Sequence, residues 1–542
     1  MMTEHEISGG AFDTIIAGGA ILDGSGEEAF AADIGIVDDR IRFIGDLSAA
    51  HAPLILPAQG RFVAPGFIDI HTHSDVSATY LPGQASALAM GVTTQVVGNC
   101  GLGMGFALAD DRFAFEMRAL AAHGARIRWS SFREHLDFVE AGGIGTNYVP
   151  LAGQGTLRKR VIGLADRRPD ANELAGMRRD LEAALEAGAW GLSSGLEYPP
   201  SSFADEEELT DLCRVVAAHG GIYATHLRNE GDLLVEAVQE ALNVTERAGV
   251  PLQLSHHKAE GRVNWGKVRE TLDMVDRARE RGNDVQMDQY PYTAFMTSLS
   301  VQTLPRWALT GTAEELTARL TDPVQHARIL SEIRASHPDW QSLDANSPWH
   351  LIRIGVCRGR PELQGESIAA LSQAAGVEPI KFVLALLAET GGYVSAVNFS
   401  MGEEDIATVM RYPWTSIGSD GVGTNPGGTG AADHVHPRSY GTFPRVLGRY
   451  VRELGILDFA TAIHKMTGLP AARMGLKDRG RIAVGQYADI TVFDPEQITD
   501  RATFEEPHQY AGGIDFVLVN GRVALEQGAP KEILAGRVLR RA

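Results

Sequence analysis

The sequence predicts an α/β protein: a (β/α)8 barrel, with a small β-sandwich formed by both chain ends and a helical insertion near the barrel mouth. Three observations predict it. Eight short apolar runs occupy the middle of the chain, GFIDI, TTQVV, NYVPLA, AWGLS, GIYAT, PLQLS, DVQMD and WTSIG, mostly separated by helix-like stretches. Eight strands alternating with helices are the pattern of that barrel. Strand-and-turn segments recur at the two ends, TIIAGGAILDG and ADIGIVDDRIRFIG early, RIAVGQYADITVFD and GIDFVLVNGRVAL late, which points to one sheet domain assembled from distant pieces. Residues of metal-ligand type stand at the carboxyl ends of several runs, where such barrels place their active sites.

Taken in order, residues 1–62 read as the first part of the sandwich and residues 63–476 as the barrel. Within the barrel, ELAGMRRDLEAALEAGA and DLLVEAVQEALNVTERAG carry apolar residues at helical spacing. About a hundred residues separate DVQMDQYPY from WTSIGSD, too many for an ordinary barrel connection. We therefore place an inserted helical subdomain over about 298–395, near the mouth, where it is positioned to act as a lid. Residues 477–542 complete the sandwich.

Composition sets the bounds. A chain of 542 residues exceeds the size at which a single core usually stops growing, so one large and one small domain are expected. Sixty glycines in a chain without low-complexity tracts suit many tight strand-to-helix turns. The net charge of −20 is dispersed, which argues for solubility and against nucleic acid or an anionic membrane as partner. No apolar run reaches the roughly 18 residues of a membrane span, and MMTEHEISGG lacks the basic and apolar parts of a signal peptide. A cytoplasmic location is expected, and oligomerisation is compatible with the sequence. Three cysteines, Cys100, Cys213 and Cys357, leave no disulfide framework, so a special cysteine here is a ligand or a nucleophile.

The chemistry lies in six positions: His71 and His73 in PGFIDIHTH, Cys100 in TTQVVGNC, His226 in GIYATH, His256 in PLQLSHH and Asp420 in TSIGSD. In HTH the imidazoles are two residues apart, so an extended chain turns both to one face. Thiolate and imidazole are donors that zinc favours, and sulfur argues against magnesium or calcium. Alternation in PLQLSHH lets only one of His256 and His257 face the pore. Asp420, between a strand and a glycine-rich loop, suits a group that touches a metal, takes a proton from water as general base and returns it to a leaving amine. Asp69 and Asp75 are expected to support the site. His123, His135, His219, His350 and His464 are expected on the surface or hydrogen-bonded in the core, with Cys213 and Cys357 inert. The clusters GNCGLGMG and GVGTNPGGTG lack the spacing and downstream acid of dinucleotide loops and read as mouth loops.

PGFIDIHTHSD resembles the signature of the amidohydrolase superfamily. GVTTQVVGNCG, GLSSGLEYPP, YATHLRNEG, SHHKAEGRVNWG, DQYPYTA, SDG followed by HPRSYGTFPRVLG, and KMTGLPAARMGLKDRGRIAVGQYADITVFDP resemble its N-acyl-D-amino-acid deacylase branch. The resemblance implies a strongly held zinc on Cys100, His226 and His256. It also implies a second, weaker metal position at His71, His73 and Asp420, bridged by Cys100, and it selects His256 over His257. Many superfamily members bridge two metals with a carboxylated lysine on the fourth strand; AWGLSSG contains none, which leaves Cys100 to supply a bridging anion. The resemblance further implies Arg438 in HPRSYG as the clamp for a substrate carboxylate, with Lys258 and Tyr198 as contacts to that carboxylate or to the developing oxyanion.

The expected activity is therefore metal-dependent hydrolysis of a small N-acyl amino acid, of D configuration by resemblance, to a carboxylate and a free amino acid. The same scaffold admits other amides as alternatives: a cyclic amide or hydantoin, an Nε-acyl-lysine or a dipeptide. A non-catalytic scaffold protein is a further alternative, disfavoured because all six ligand positions are kept. The stretch GVGTNPGGTGAADHVHPR is longer than the branch requires between SDG and HPR, so the substrate pocket is expected to differ from the usual one.

Overall fold

The structure, a computed structural model, describes residues 12–106, 120–121, 123–335, 348–428 and 430–541. Five strands open the chain: β1 Thr14–Ile21, β2 Phe30–Val37, β3 Arg40–Gly45, β4 Leu54–Pro57 and β5 Phe62–Pro65. Then come β6 Phe67–Asp69, β7 Val92–Val97, β8 Asn147–Pro150 running on into β9 Ala152–Gly153, β10 Gly191–Gly195, β11 Ile222–His226, β12 Leu252–Leu254 and β13 Val285–Gln289. The insertion carries β14 Phe295–Ser298, β15 Ile352–Ile354 and β16 Ser395–Asn398, and β17 Thr415–Ile417 returns to the barrel. The last strands are β18 Ile490–Phe493, β19 Ile514–Val519, β20 Arg522–Glu526 and β21 Ala529–Pro530.

The barrel is parallel throughout. Strand β6 pairs with β7 and β7 with β8; β9 continues to β10, β11, β12, β13 and β17. A parallel bridge between Thr72 and Gly421 brings β17 back to β6 and closes the ring. Side-chain alternation along the strands sorts the core into two layers. Leu192, Tyr223, Leu252, Leu254, Val285 and Met287 face the surrounding helices and pack on Leu181, Leu209, Leu212, Val238, Leu242 and Val275. The alternate positions Ile68, Val96, Val149, Leu151, Ile222 and Ala224 form a separate inner cluster. Each fully buried leucine or isoleucine contributes about 1.5–3 kcal/mol by leaving water. The helices follow the expected signals: Asp170 and Glu173 form a capping box at the start of Ala171–Glu186, and Leu234–Ala248 buries Leu234, Ala237, Val238, Ala241, Leu242 and Thr245 along one face.

Strands β1 to β5 and β18 to β21 join in one nine-stranded sheet, with β5 of the first segment hydrogen-bonded to β18 of the last. Its core mixes both ends of the chain, Ile16, Ile34, Ile36 and Val63 with Ile490, Val492 and Leu518. Asn147 of the barrel is bonded to Asp489 and Asn520 of this sheet at 3.1 and 2.8 Å. Besides its helices, the insertion contains a three-stranded antiparallel sheet, β14-β16-β15, over a core of its own. Among the described residues no single helix is long and apolar enough to cross a membrane. One bent pair, Ile368–Ala375 with Pro379–Thr390, passes on length and composition, and its Ile380, Val383, Leu384 and Leu387 are buried in the insertion core.

Candidate metal centre

Five strand ends deliver their polar residues to one place. Cys100, three residues past β7, sets its Sγ 3.4 Å from Nε2 of His71, 3.5 Å from Nε2 of His256 and 3.9 Å from Nδ1 of His226. Nδ1 of His226 is 2.9 Å from Nε2 of His256. His73 and His71 converge on Oδ1 of Asp420, at 3.1 and 3.6 Å. All six residues predicted from the sequence thus lie in one cluster, and the donor atoms of His71, Cys100 and His256, and of His71, His73 and Asp420, each fall within 4.8 Å of one another. His257 points elsewhere: its Nε2 meets Thr271 Oγ1 at 2.8 Å, and burial pushes its ring down to about 4.

The backbone holds this convergence at a cost. Cys100, His256 and Asp420 adopt left-handed φ values of 53°, 36° and 51°. A side chain other than glycine pays about 1–3 kcal/mol for such a conformation, which persists when the surroundings enforce it. Each of the three follows the end of a barrel strand, so the strain turns the donor from the strand direction into the mouth.

Three imidazoles carry a carboxylate on the nitrogen opposite the thiol. Nδ1 of His71 is 3.0 Å from Asp288 Oδ1, Nε2 of His226 is 2.9 Å from Glu197 Oε2, and Nδ1 of His256 is 3.1 Å from Glu230 Oε1. At His226 and His256 the outward nitrogen is hydrogen-bonded to its carboxylate, and an N–H held on that side lets the inward nitrogen give up its proton to a metal, the tautomer a metal requires. Asp288 also accepts the backbone N–H of His256 and the side-chain amide of Gln253, both at 2.8 Å. Sequence reasoning missed Asp288, Glu230 and Glu197, although each sits inside a conspicuous segment, DVQMDQY, LRNEG and GLEYPP.

The electrostatics favour anionic donors. Burial alone would raise the Cys100 thiol, but the positive charge of His71 and hydrogen bonds from His226 and His256 outweigh it and hold the thiol well below its ordinary value. Burial would likewise raise Asp420; the Arg438 guanidinium, then His256 and His73, hold its carboxyl well below the usual range. Asp69 accepts backbone N–H groups from Ser419 and His71 at 2.8 and 3.3 Å, and Asp75 accepts that of Met104 at 3.2 Å.

The three residues implied as substrate contacts are engaged within the protein. Arg438 sets Nη1 2.8 Å from Asp420 Oδ2, donates Nη2–H to the Met296 carbonyl at 3.3 Å and lies over the Tyr290 ring at 4.8 Å. Lys258 sets Nζ 2.5 Å from Glu230 Oε2, and donates to the His256 carbonyl at 3.1 Å. The Tyr198 hydroxyl accepts from Thr297 Oγ1 at 3.0 Å. Of the other histidines, His219 and His464 bond backbone carbonyls, while His123 contacts Arg358 and Tyr80. His135 departs from expectation: it is buried among Trp129, Phe132 and Tyr148, and among the described residues neither ring nitrogen has a hydrogen-bond partner.

Comparison with known proteins follows the same lines. The model of the amidohydrolase family matches residues 56–525. The chain is 37% identical to a D-aminoacylase from Alcaligenes xylosoxydans xylosoxydans over 98% of both chains. It is 38% identical to an N-acyl-D-glutamate deacylase from the same organism, over 98% of this chain and 96% of the relative. Among solved structures, it superposes with a TM-score of 0.81 and 34% identity on an N-acyl-D-glutamate deacylase from Bordetella bronchiseptica complexed with zinc and a phosphonate mimic of the tetrahedral intermediate, covering 98% of this chain and 99% of that one.

Proposed function

The chain belongs to the amidohydrolase family, and on that premise we propose that it hydrolyses the amide bond of N-acyl-D-amino acids with zinc, giving a carboxylate and a free D-amino acid. One observation carries the reading. A buried thiol, three imidazoles whose outward nitrogens are tied to carboxylates, and a carboxylate paired with a guanidinium meet in a single cluster at the barrel mouth. Sulfur and nitrogen donors at these separations fit zinc and do not fit a hard, oxygen-seeking cation.

In this reading Cys100, His226 and His256 hold the tight ion, and His71, His73 and Asp420, with Cys100 shared, form a second and weaker position. When bound, zinc supplies Lewis acidity, polarising the scissile carbonyl and bringing the pKa of water to about 7. The protein's own groups do the rest. Asp420, held anionic, takes a proton from the attacking water as its oxygen bonds to the amide carbon. The same carboxyl then gives that proton to the amide nitrogen, the C–N bond breaks, and the amine leaves. Burial and the Glu197 charge keep the Tyr198 phenol protonated, well above its ordinary value, so its O–H is available to the oxyanion. Arg438 receives the substrate carboxylate through its planar fork. Lys258 orients Glu230, and through it His256, besides lending positive charge to the pocket.

The same proposal takes residues 63–476 as the catalytic barrel with an insertion at about 298–395, flanked by 1–62 and 477–542. It places the protein in the cytoplasm, acting on a free small molecule rather than on nucleic acid or a membrane, in keeping with a net charge of −20. The test is a substrate panel after metal removal: N-acyl-D- and N-acyl-L-amino acids, Nε-acyl-lysine, a dipeptide and a hydantoin. Chelator-treated protein should be inactive and regain turnover of N-acyl-D-amino acids on addition of zinc. Full activity without metal, or turnover confined to the other classes, would sink the proposal.

A further inference from the structure

Among the barrel strands, β10 delivers no donor to the cluster, yet it lies against the turn that delivers the thiol. That turn, Gly98 to Gly101, is left-handed at three of its four residues, with φ of 77° at Gly98, 53° at Cys100 and 70° at Gly101. Outside the strand ladder, it depends on side chains and neighbouring loops for its hydrogen bonds. Ser193 of β10, fully buried, supplies two of them: its Oγ accepts the N–H of Gly101 at 3.0 Å and donates to the carbonyl of Gly98 at 2.5 Å. One hydroxyl thus grips the chain on both sides of Cys100, using its donor and acceptor capacity together. Two residues on, a Cβ at Gly195 would stand 2.2 Å from the carbonyl oxygen of Cys100. The strand end and the turn are therefore in direct backbone contact.

We propose that Ser193 is a positioning residue for the Cys100 thiolate, clamping the strained turn so that the sulfur stays within reach of His71, His226 and His256 at once. The inference rests on the reading of Cys100 as a metal ligand. Alanine at 193 would leave the Gly98 carbonyl and the Gly101 N–H buried without this partner, and the turn would be free to relax toward right-handed φ. The sulfur then moves while every ligand remains in the sequence. Threonine keeps the hydroxyl and with it the clamp.

The experiment replaces zinc by Co2+ and follows thiolate-to-cobalt charge-transfer absorption together with the Co2+ dissociation constant. Wild type and Ser193→Thr should show the band. Ser193→Ala, with an unchanged far-ultraviolet dichroism spectrum, should show it weakened or shifted and bind Co2+ about 10–100-fold more weakly, the range of other supporting residues around metal ligands. Gly195→Ala provides a second variant should Ser193→Ala fail to fold, because it displaces the same turn from the other contact and should perturb the same band. A folded Ser193→Ala with wild-type band and affinity overturns the assignment, as does an unperturbed Gly195→Ala. If wild type itself shows no thiolate band, the ligand reading of Cys100 fails and this proposal falls with it; a normal wild-type band with unaffected variants removes only the role of Ser193.

Discussion

Arg438 and Asp420 form a buried ion pair, Nη1 to Oδ2 at 2.8 Å, while the other oxygen of the carboxylate faces His73 and His71. The proposed substrate clamp and the proposed base are therefore partners before any substrate arrives. On the proposed reading, a substrate carboxylate would compete with Asp420 for the same guanidinium, so that binding the correct substrate would loosen the base at the moment it is needed.

Arg438→Ala should therefore damage catalysis in two ways, raising KM through the lost clamp and lowering kcat through a disturbed Asp420. Charge-assisted bidentate contacts exceed ordinary hydrogen bonds, so a loss of roughly 2–4 kcal/mol in kcat/KM is expected for an N-acyl-D-amino acid. Arg438→Lys should rescue part of it, because an ammonium lacks the planar fork. The comparison that decides is the free acid against its carboxamide: wild type should prefer the acid strongly, and the alanine variant should lose most of that preference. If the preference survives, the carboxylate is bound elsewhere.

Cys100 contacts three imidazoles, and Nε2 of His71 lies between the two proposed positions, 3.4 Å from Cys100 Sγ and 3.6 Å from Asp420 Oδ1. Elemental analysis of purified variants should find that Cys100→Ala strips the tight metal and abolishes turnover, whereas His71→Ala retains about one equivalent. Equal metal loss in the two would contradict the division into a tight and a weak position.

Glu230 joins His256 at 3.1 Å and Lys258 at 2.5 Å, all three buried. Its replacement by glutamine leaves the lysine charge without a counterion and gives the imidazole a neutral outer acceptor in place of an anionic one. Glu230→Gln should lower metal affinity about 10–100-fold and destabilise the fold by a few kcal/mol, since an unpaired buried charge is costly. A metal titration and a chemical denaturation curve check the two effects separately, and a variant normal in both would show that the contacts do not matter.

His135 offers a pH-dependent test away from the cluster. Burial pushes its ring down to about 3, against about 6.5 in an unfolded chain. The folded-state value is depressed, so the unfolded state binds the extra proton below about pH 6.5. The associated stability is present above that pH and is lost progressively as pH falls toward 3, by up to about 1.4 kcal/mol per unit. His135→Phe, which keeps a flat ring beside Trp129 and Tyr148, removes this term. The stability difference between variant and wild type should move in favour of the variant by about 2 kcal/mol between pH 7 and pH 5; parallel pH profiles would show that His135 is not buried as a neutral ring.

Much of the site was legible because its chemistry coincided with local pattern. His71, His73, Cys100, His226 and Asp420 each close an apolar run, and strand periodicity aims them at one end of the barrel. The choice between His256 and His257 was not legible from alternation alone, since it depends on Thr271 of the following helix, which takes the second ring. Asp288, Glu230 and Glu197 escaped because a carboxylate in a polar segment is ordinarily solvated, and only a partner on a neighbouring strand shows otherwise. The clamp of Ser193 on the Cys100 turn escaped because its partners are backbone groups 92 and 95 residues away.

What the sequence by itself determined was the repertoire: which donors exist, that they terminate strands, and that both chain ends read as sheet. These are properties of residue type and of spacing over a few positions, which the backbone expresses locally. What only the tertiary structure decided was which side chains share atoms: Arg438 with Asp420, Lys258 with Glu230, Ser193 with the Cys100 turn. Those distances come into being when the barrel closes at the Thr72 to Gly421 bridge, because closure brings residues some 350 positions apart within hydrogen-bonding range, and no local periodicity encodes it.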